Sequence, residues 1–197
     1  MLRRLPILPT IVVLLAVGVM LRLGLWQLDR LEQKESMLVQ YAQAQTMSAD
    51  VLWPREAKQA QRAYYRHATI RCVSVGPITP MAGINDKGQS GLAHVATCNL
   101  EQGGKALVVL GWSRDPAPRP WNGGEVAGVI APGGDAGPRL VADPPLAGLE
   151  ANARADPSTI ANNHLSYAVQ WFLFAFVALV IYALALRKRL AGQGEDR

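Results

Sequence analysis

Residue types that can bind a ligand stand at the start of the longest apolar stretch, in "NNHLSYAVQWFLFA" at residues 162–175. At about 100° per residue, one stripe of a helix there carries His164, Tyr167, Ala168, Trp171 and Ala175. An imidazole can ligate a metal, and the two small alanines would let a second helix or a flat ligand come close. The alternative is that Tyr167 and Trp171 belong to an aromatic belt at a membrane interface, with His164 in water at the headgroups.

Two apolar runs are long enough to cross a bilayer, which takes about 20 helical residues. Leu165 to Leu186 is a run of 22 residues without a formal charge. Leu5 to Leu25 is apolar apart from two prolines, a threonine and Arg22, which lies near one end. Two arginines precede this run, so its alternative is a cleaved signal peptide, although no small-x-small cleavage site precedes Trp26. We expect transmembrane helices at 5–27 and 164–186.

The net charge of +5 comes from the flanks of these runs, because the positive and negative charges of residues 26–163 balance. The high pI therefore gives no support to nucleic-acid binding. Basic residues at both termini predict a multi-pass protein of a bacterial inner membrane with both termini in the cytoplasm. Residues 46–163 then form a periplasmic domain, and residues 187–197 a basic cytoplasmic tail.

This topology brings the exit of the first helix and the entrance of the second to the same side of the membrane. Trp26, Gln27 and Arg30 would then lie near the histidine stripe, with Arg22 and Lys34 as further cations. Such a pocket suits an amphipathic planar anion such as haem, with imidazole for the iron, aromatic rings for the macrocycle and cations for the propionates. A quinone or a lipid headgroup would use similar chemistry.

The region between the two runs predicts an α+β domain dominated by antiparallel β-strands. After Trp26, leucines at helical spacing, with no Pro or Gly until Pro54, extend the first helix to about residue 45. "YRHATIRCVSV", "GLAHVATCNL" and "KALVVLGW" are typical of strands, with Gly103-Gly104 as a hairpin signal between the last two. Residues 113–160 are rich in proline and glycine and hold two short strand candidates, 125–130 and 139–142.

Other kinds of active site are disfavoured. On strands, His67 and Cys72 would point to opposite faces, and His94 and Cys98 would lie about 13 Å apart, so neither pair can chelate one ion. Ser113 lacks a Gly-x-Ser-x-Gly elbow, and no phosphate-binding loop is present in the sequence. We therefore expect no enzyme activity. The two cysteines could form a disulfide in the periplasm or remain two buried thiols.

Four segments, in order, resemble those of the surfeit locus protein 1 family: "LGLWQLDRLEQK", "YRHATIRC", "GLAHVATCNL" followed by "ALVVLGWSRDP", and "NNHLSYAVQWFLFA". The resemblance implies a cytochrome c oxidase assembly factor, and bacterial members are linked to delivery of haem a to the catalytic subunit. The family positions carried over are Gly24, Trp26, Gln27, Arg30, Lys34, Gly111, Trp112, His164, Tyr167 and Trp171. Among these, His164 is the position assigned as axial ligand of the haem iron.

The expected partners are the catalytic subunit of cytochrome c oxidase, the haem a synthesis machinery and membrane lipid. The lack of a transit peptide before the first helix favours a bacterial over a mitochondrial protein. Two other functions are consistent with the sequence: a cofactor-free membrane scaffold that clamps oxidase subunits during assembly, and a quinone- or lipid-binding anchor.

Overall fold

The structure, a computed structural model, describes residues 6–195. Leu5, where the first membrane segment is predicted to begin, and the last two residues of the predicted tail lie outside the described residues. Three helices and five strands follow one another in the order α1 (Ile7–Gln45), α2 (Ala57–Ala63), β1 (His67–Ile84), β2 (Ser90–Leu100), β3 (Lys105–Ser113), β4 (Gly124–Pro132), β5 (Pro138–Ala142) and α3 (His164–Glu195). The chain forms two compact units, with boundaries between Met37 and Leu38 and between Ile160 and Ala161.

One unit pairs the first part of α1 with α3. Both helices are long and apolar enough to cross a membrane. Thr10 hydrogen-bonds Tyr182 near one end of the pair, and Gln27 hydrogen-bonds His164 near the other. Because residue numbers rise along α1 as they fall along α3, the two helices are antiparallel. The protein is therefore an α+β membrane protein in which two transmembrane helices flank a β-rich domain in sequence, which confirms the predicted fold class.

The other unit contains a closed five-stranded barrel with the order β1-β2-β3-β5-β4. Four neighbouring pairs are antiparallel and the β3–β5 pair is parallel. A closed ring with an odd number of strands cannot alternate direction throughout, so one parallel pair is required. The strand β5 supplies it, because it folds back antiparallel on β4 and thereby closes the barrel against β3. The two short strands predicted in the proline-rich region are thus the ones that complete the sheet.

The structure contains two features that sequence reasoning missed. The short helix α2 was not predicted, and β1 continues past the predicted segment to Ile84. Gly76, Pro77 and Pro80 would ordinarily end a strand. Here Pro77 lies in a register shift between Val75 and Ile78. Within the described strands, β1 pairs with β4 only as far as Cys72, so its later residues have β2 alone as a partner and tolerate prolines as edge positions do.

Three tyrosines attach the last part of α1 to the barrel. The Tyr41 ring lies 4.9 Å from that of Tyr65, and 6.2 Å from that of Tyr64, edge-on. The Gln45 side-chain amide donates to the Ala155 carbonyl at 2.8 Å. Burial, reinforced by Tyr41, raises the pKa of the Tyr65 phenol. The C-terminal turns of α1 therefore belong to the core of the β-rich unit.

A disulfide joins Cys72 on β1 to Cys98 on β2, which decides between the two alternatives that the sequence left open. The Cα atoms are 5.4 Å apart, and both residues are buried in the barrel core. The register shift between Cys72 and Ser74 occurs at this linkage. The bond cross-links neighbouring strands that are 26 residues apart in the chain.

Removing this bond is expected to destabilise the β-rich unit. For the full-length Cys72→Ser/Cys98→Ser variant we expect a loss of about 3.5 kcal/mol in the free energy of unfolding. The reason is that the disulfide closes a loop between residues 26 positions apart and so restricts the unfolded chain. Urea unfolding followed by tryptophan fluorescence measures this loss. A reducing agent should lower the midpoint for wild type and leave the variant unchanged. Equal midpoints for oxidised wild type and the variant would contradict a stabilising role.

Candidate functional site

The candidate site is centred on a hydrogen bond between the two long helices. The Nδ1 atom of His164 lies 2.7 Å from the Oε1 atom of Gln27, although the residues are 137 positions apart in sequence. Both side chains are half-buried. His164 is the first residue of α3, so the contact lies where this helix begins. The structure thus brings together two of the residues that were predicted to share a site.

The chemistry of the two partners defines the state of the imidazole. An amide oxygen only accepts hydrogen bonds, so with Oε1 facing the ring, Nδ1 must carry the proton and donate it. In the neutral ring, Nε2 then holds the free lone pair. Among the described residues no protein group hydrogen-bonds Nε2. This is the arrangement of a histidine that can ligate a metal through Nε2 while its other nitrogen is held by the protein.

Small residues let the helices come close enough for this contact. Ala168 and Ala175 are almost fully buried, at 0% and 2% exposure, and lie one and about three turns after His164. On α1, a Cβ atom at Gly24 would lie only 2.6 Å from Cε1 of Phe172. Gly24 therefore makes room for the Phe172 ring one turn before Gln27. The prediction that small residues in the stripe permit a close helix agrees with these contacts.

Two asparagines, Asn162 and Asn163, precede the start of α3. Asparagine often caps a helix by accepting through its side-chain oxygen. Instead, the Asn163 backbone carbonyl accepts from the Tyr167 N–H at 3.2 Å, which forms the first turn. Within the described part of the chain, the buried Oδ1 atom of Asn162 has no partner. The first turn of α3 is therefore closed by this backbone hydrogen bond.

The other predicted site residues occupy more open positions. Trp26 and Tyr167 are 45% and 52% exposed on the surface of the helices. Trp171 is half-buried, with its ring edge-on to Phe174 at 6.1 Å. The grouping of these rings with His164 around a ligand stays a prediction.

The basic side chains of the predicted site form no salt bridge within the described residues. Arg30 is exposed and donates to the Gln33 amide oxygen at 2.9 Å. Lys34 is half-buried and Arg22 is exposed. Throughout residues 6–191, no carboxylate lies within salt-bridge distance of these three side chains. Their charges thus remain available to an anionic group.

Gly111 and Trp112, the two barrel positions that the family resemblance points to, are closely packed. Trp112 is buried, and a Cβ atom at Gly111 would collide with Leu149. The Trp112 backbone also exchanges two hydrogen bonds with Glu150, which ties the returning segment to β3. Gly111 is therefore needed for the close approach of this segment.

The buried His94 forms a polar network that the sequence did not predict. Its Nε2 atom lies 2.9 Å from the Ser113 hydroxyl, which donates to the Asp115 carbonyl at 2.7 Å. Since the serine proton goes to a backbone carbonyl, His94 must donate to the serine oxygen. His94 is therefore not arranged as a base for Ser113, and Ser113 is not arranged as a nucleophile.

The cysteines are bonded to each other, and residues 6–191 contain no cluster of three or more potential metal-ligating side chains.

Sequence reasoning also missed the contacts at the far end of the helix pair. Tyr182 follows His164 by 18 residues, or about five helical turns, and so lies on the same face. It hydrogen-bonds Thr10. The signal was present in the helical spacing, but Thr10 could be identified as the partner only once the pairing of the helices was known.

Two comparisons with known proteins bear on the chain. A model described as the SURF1 family matches residues 14–176, which include most of α1, the whole barrel and the first part of α3. Among curated proteins, no match was found.

The close contact at Gly24 can be tested against a second glycine on the same helix. Gly24→Leu should displace Phe172 and weaken the helix pair by about 1–3 kcal/mol, since overpacking forces side chains and backbone to shift. Gly18→Leu is the matched control, because nothing lies within 4 Å of a Cβ atom there. The measurement is the concentration of dodecyl sulfate that separates the helices, followed by energy transfer between labels. Equal shifts for the two variants would show that α3 does not pack on Gly24.

Proposed function

We propose that this chain, which belongs to the SURF1 family of cytochrome oxidase assembly factors, binds haem a transiently and passes it to the catalytic subunit of the oxidase. Haem a, when bound, supplies the iron centre and the extended macrocycle that the oxidase uses in electron transfer and oxygen reduction. The chain's own residues would bind the group, orient it and release it. No chemical step of the chain itself is part of this proposal.

The observation that carries the proposal is the hydrogen bond between Gln27 and His164. It holds one nitrogen of the ring and leaves Nε2 without a protein partner among the described residues. A neutral imidazole nitrogen of this kind is a common axial ligand of haem iron. A single such ligand at the edge of the helix pair suits transient binding better than two strong axial ligands, because only one bond must exchange during transfer.

The surroundings of His164 fit the rest of the group. Leu165 and Tyr167 are 55% and 52% exposed beside it, which provides apolar and aromatic surface for a hydrophobic macrocycle. Arg30 has no carboxylate partner in the described part of the chain, so its guanidinium can take a propionate. Arg22 and Lys34 are the further candidates for this role.

The proposal includes the orientation of the protein in the membrane. Both termini would lie in the cytoplasm and the barrel in the periplasm, since basic residues flank the two apolar helices. The Cys72–Cys98 disulfide supports this assignment, because disulfides form and persist in oxidising compartments. In this orientation His164 lies at the periplasmic end of α3.

The ligand assignment is tested by a histidine substitution with a matched control. The full-length protein is co-expressed with the enzymes of haem a synthesis, purified, and its visible spectrum recorded. Wild type and His67→Ala should show a Soret band of equal intensity per protein, whereas His164→Ala should lose at least about tenfold in occupancy, because the axial nitrogen is removed. His67 is the control because it is a half-buried histidine on β1.

Two results would contradict the proposal. Equal haem in wild type and His164→Ala would show that another residue is the ligand. A wild-type protein without a Soret band that still co-purifies with oxidase subunits would favour the cofactor-free scaffold.

A further inference from the structure

We infer that Gln27 is a positioning residue, which selects the His164 tautomer with Nδ1 protonated and holds the ring so that Nε2 is the ligating atom. The inference deepens the proposed function and rests on it for the consequence in haem binding. The tautomer itself is a property of the protein without haem. It can therefore be measured whether or not the proposed function is correct.

The geometry makes Gln27 the group that sets the ring orientation. His164 is the first residue of α3, so its own helix continues on only one side of it. Its ring has one hydrogen bond among the described residues, the 2.7 Å contact with Oε1 of Gln27. Without this contact, rotation about the side-chain bonds and exchange of the proton between the two nitrogens would both be unrestrained. The free imidazole would then favour no single nitrogen strongly.

The helix packing holds Gln27 in place. Phe172 lies against Gly24, one turn before Gln27, and Ala168 is fully buried one turn after His164. Because the helices are antiparallel, Gly24 and Ala168 lie on the same side of the hydrogen bond, and the close packing there keeps α1 and α3 near each other beside Gln27. Gln27 also extends from a continuous helix that runs from Ile7 to Gln45, so its backbone cannot shift locally at low cost. The amide is thus presented to the ring by a rigid element.

That residue 27 is a glutamine and not an acidic residue affects how strongly His164 would bind iron. Groups that accept the second N–H of a metal-ligating histidine fix its tautomer and raise the basicity of the ligating nitrogen, and their loss typically reduces metal affinity about 10–100-fold. A carboxylate accepts more strongly than a neutral amide. Glutamine therefore orients the ring while raising its basicity less than a carboxylate would, which suits a ligand that has to be released.

The direct test is the tautomer of His164 in the protein without haem. Full-length protein with ¹⁵N-labelled histidine is reconstituted in nanodiscs, and long-range ¹H–¹⁵N correlation spectra are recorded at a pH where the rings are neutral. His164→Ala identifies the His164 signals among those of the three histidines. We expect wild type to be protonated at Nδ1, and Gln27→Leu to show a mixture of tautomers or protonation at Nε2. Gln170→Leu, an exposed glutamine on α3, is the control and should match wild type.

Haem binding by the same variants provides the second measurement. Gln27→Leu should lower the haem a affinity about 10–100-fold, and Gln27→Glu, which keeps an acceptor at this position, should restore it. Far-UV circular dichroism confirms that each variant retains its helices. Gln27→Glu serves as the conservative variant if Gln27→Leu fails to fold.

The outcomes separate the inference from the proposed function. Protonation of wild-type His164 at Nε2, or the same tautomer in wild type and Gln27→Leu, overturns the role of Gln27. An altered tautomer with unchanged haem affinity overturns its role in ligation and leaves His164 as the ligand. If wild type shows the Nδ1 tautomer but binds no haem a, the proposed function fails while the positioning of the ring by Gln27 stands.

Discussion

The close antiparallel pairing of two apolar helices is the constraint on which the site depends. Lipid provides little hydrophobic drive for such a pair, so van der Waals packing and interhelical hydrogen bonds must hold it. Gly24, Ala168 and Ala175 reduce the bulk of the facing surfaces, and polar pairs lie near the two ends of the interface. One of these pairs, Gln27–His164, also leaves an imidazole nitrogen free. The same contact thus serves packing and defines the candidate ligand.

The barrel meets a different constraint, which is closure with a small number of strands. Five strands close only with one parallel pair, and β5 provides it by returning from β4 to the edge of β3. The Cys72–Cys98 bond ties β1 to β2 where the strand register shifts. The long strand β1 of the barrel contains prolines only where β2 is its single partner among the described strands. Closure and the covalent link together explain how a domain rich in proline and glycine keeps a core.

Much of this fold was predictable from local patterns, and the rest was not. The lengths of the apolar runs, the alternation in the strands and the Gly103-Gly104 turn depend on neighbouring residues, so they are visible in the sequence. The continuation of β1 past Pro77 could not be predicted, because proline is tolerated there only through an irregular register with β2, which no local pattern shows. The disulfide was equally undecidable, since it depends on the 5.4 Å between Cα atoms that the fold creates. The helix α2 has only 7 residues, too few for a helical period to be recognised in the sequence.

For the site, sequence predicted the types of residue but not their individual contacts. That His164 and Gln27 lie at one depth follows from charge at the chain ends and from helix length. Which atom of Gln27 faces which nitrogen of the ring depends on how the helices rotate about their axes, and no local pattern encodes this rotation. The exposure of Trp26 and Tyr167 is likewise a result of that rotation. Of the predicted site residues, His164 and Gln27 are therefore in direct contact, whereas the aromatic side chains of Trp26 and Tyr167 are left on the surface.

The proposed function requires one bond, between Nε2 of His164 and the haem iron. Pulsed electron–nuclear double resonance on the haem-loaded, full-length protein, with ¹⁵N introduced only at histidine, measures this bond directly. A ¹⁵N coupling from a single histidine ligand that disappears in His164→Ala is the result that the account predicts. A coupling that persists in the variant, or haem-loaded wild type without any histidine coupling, would contradict it.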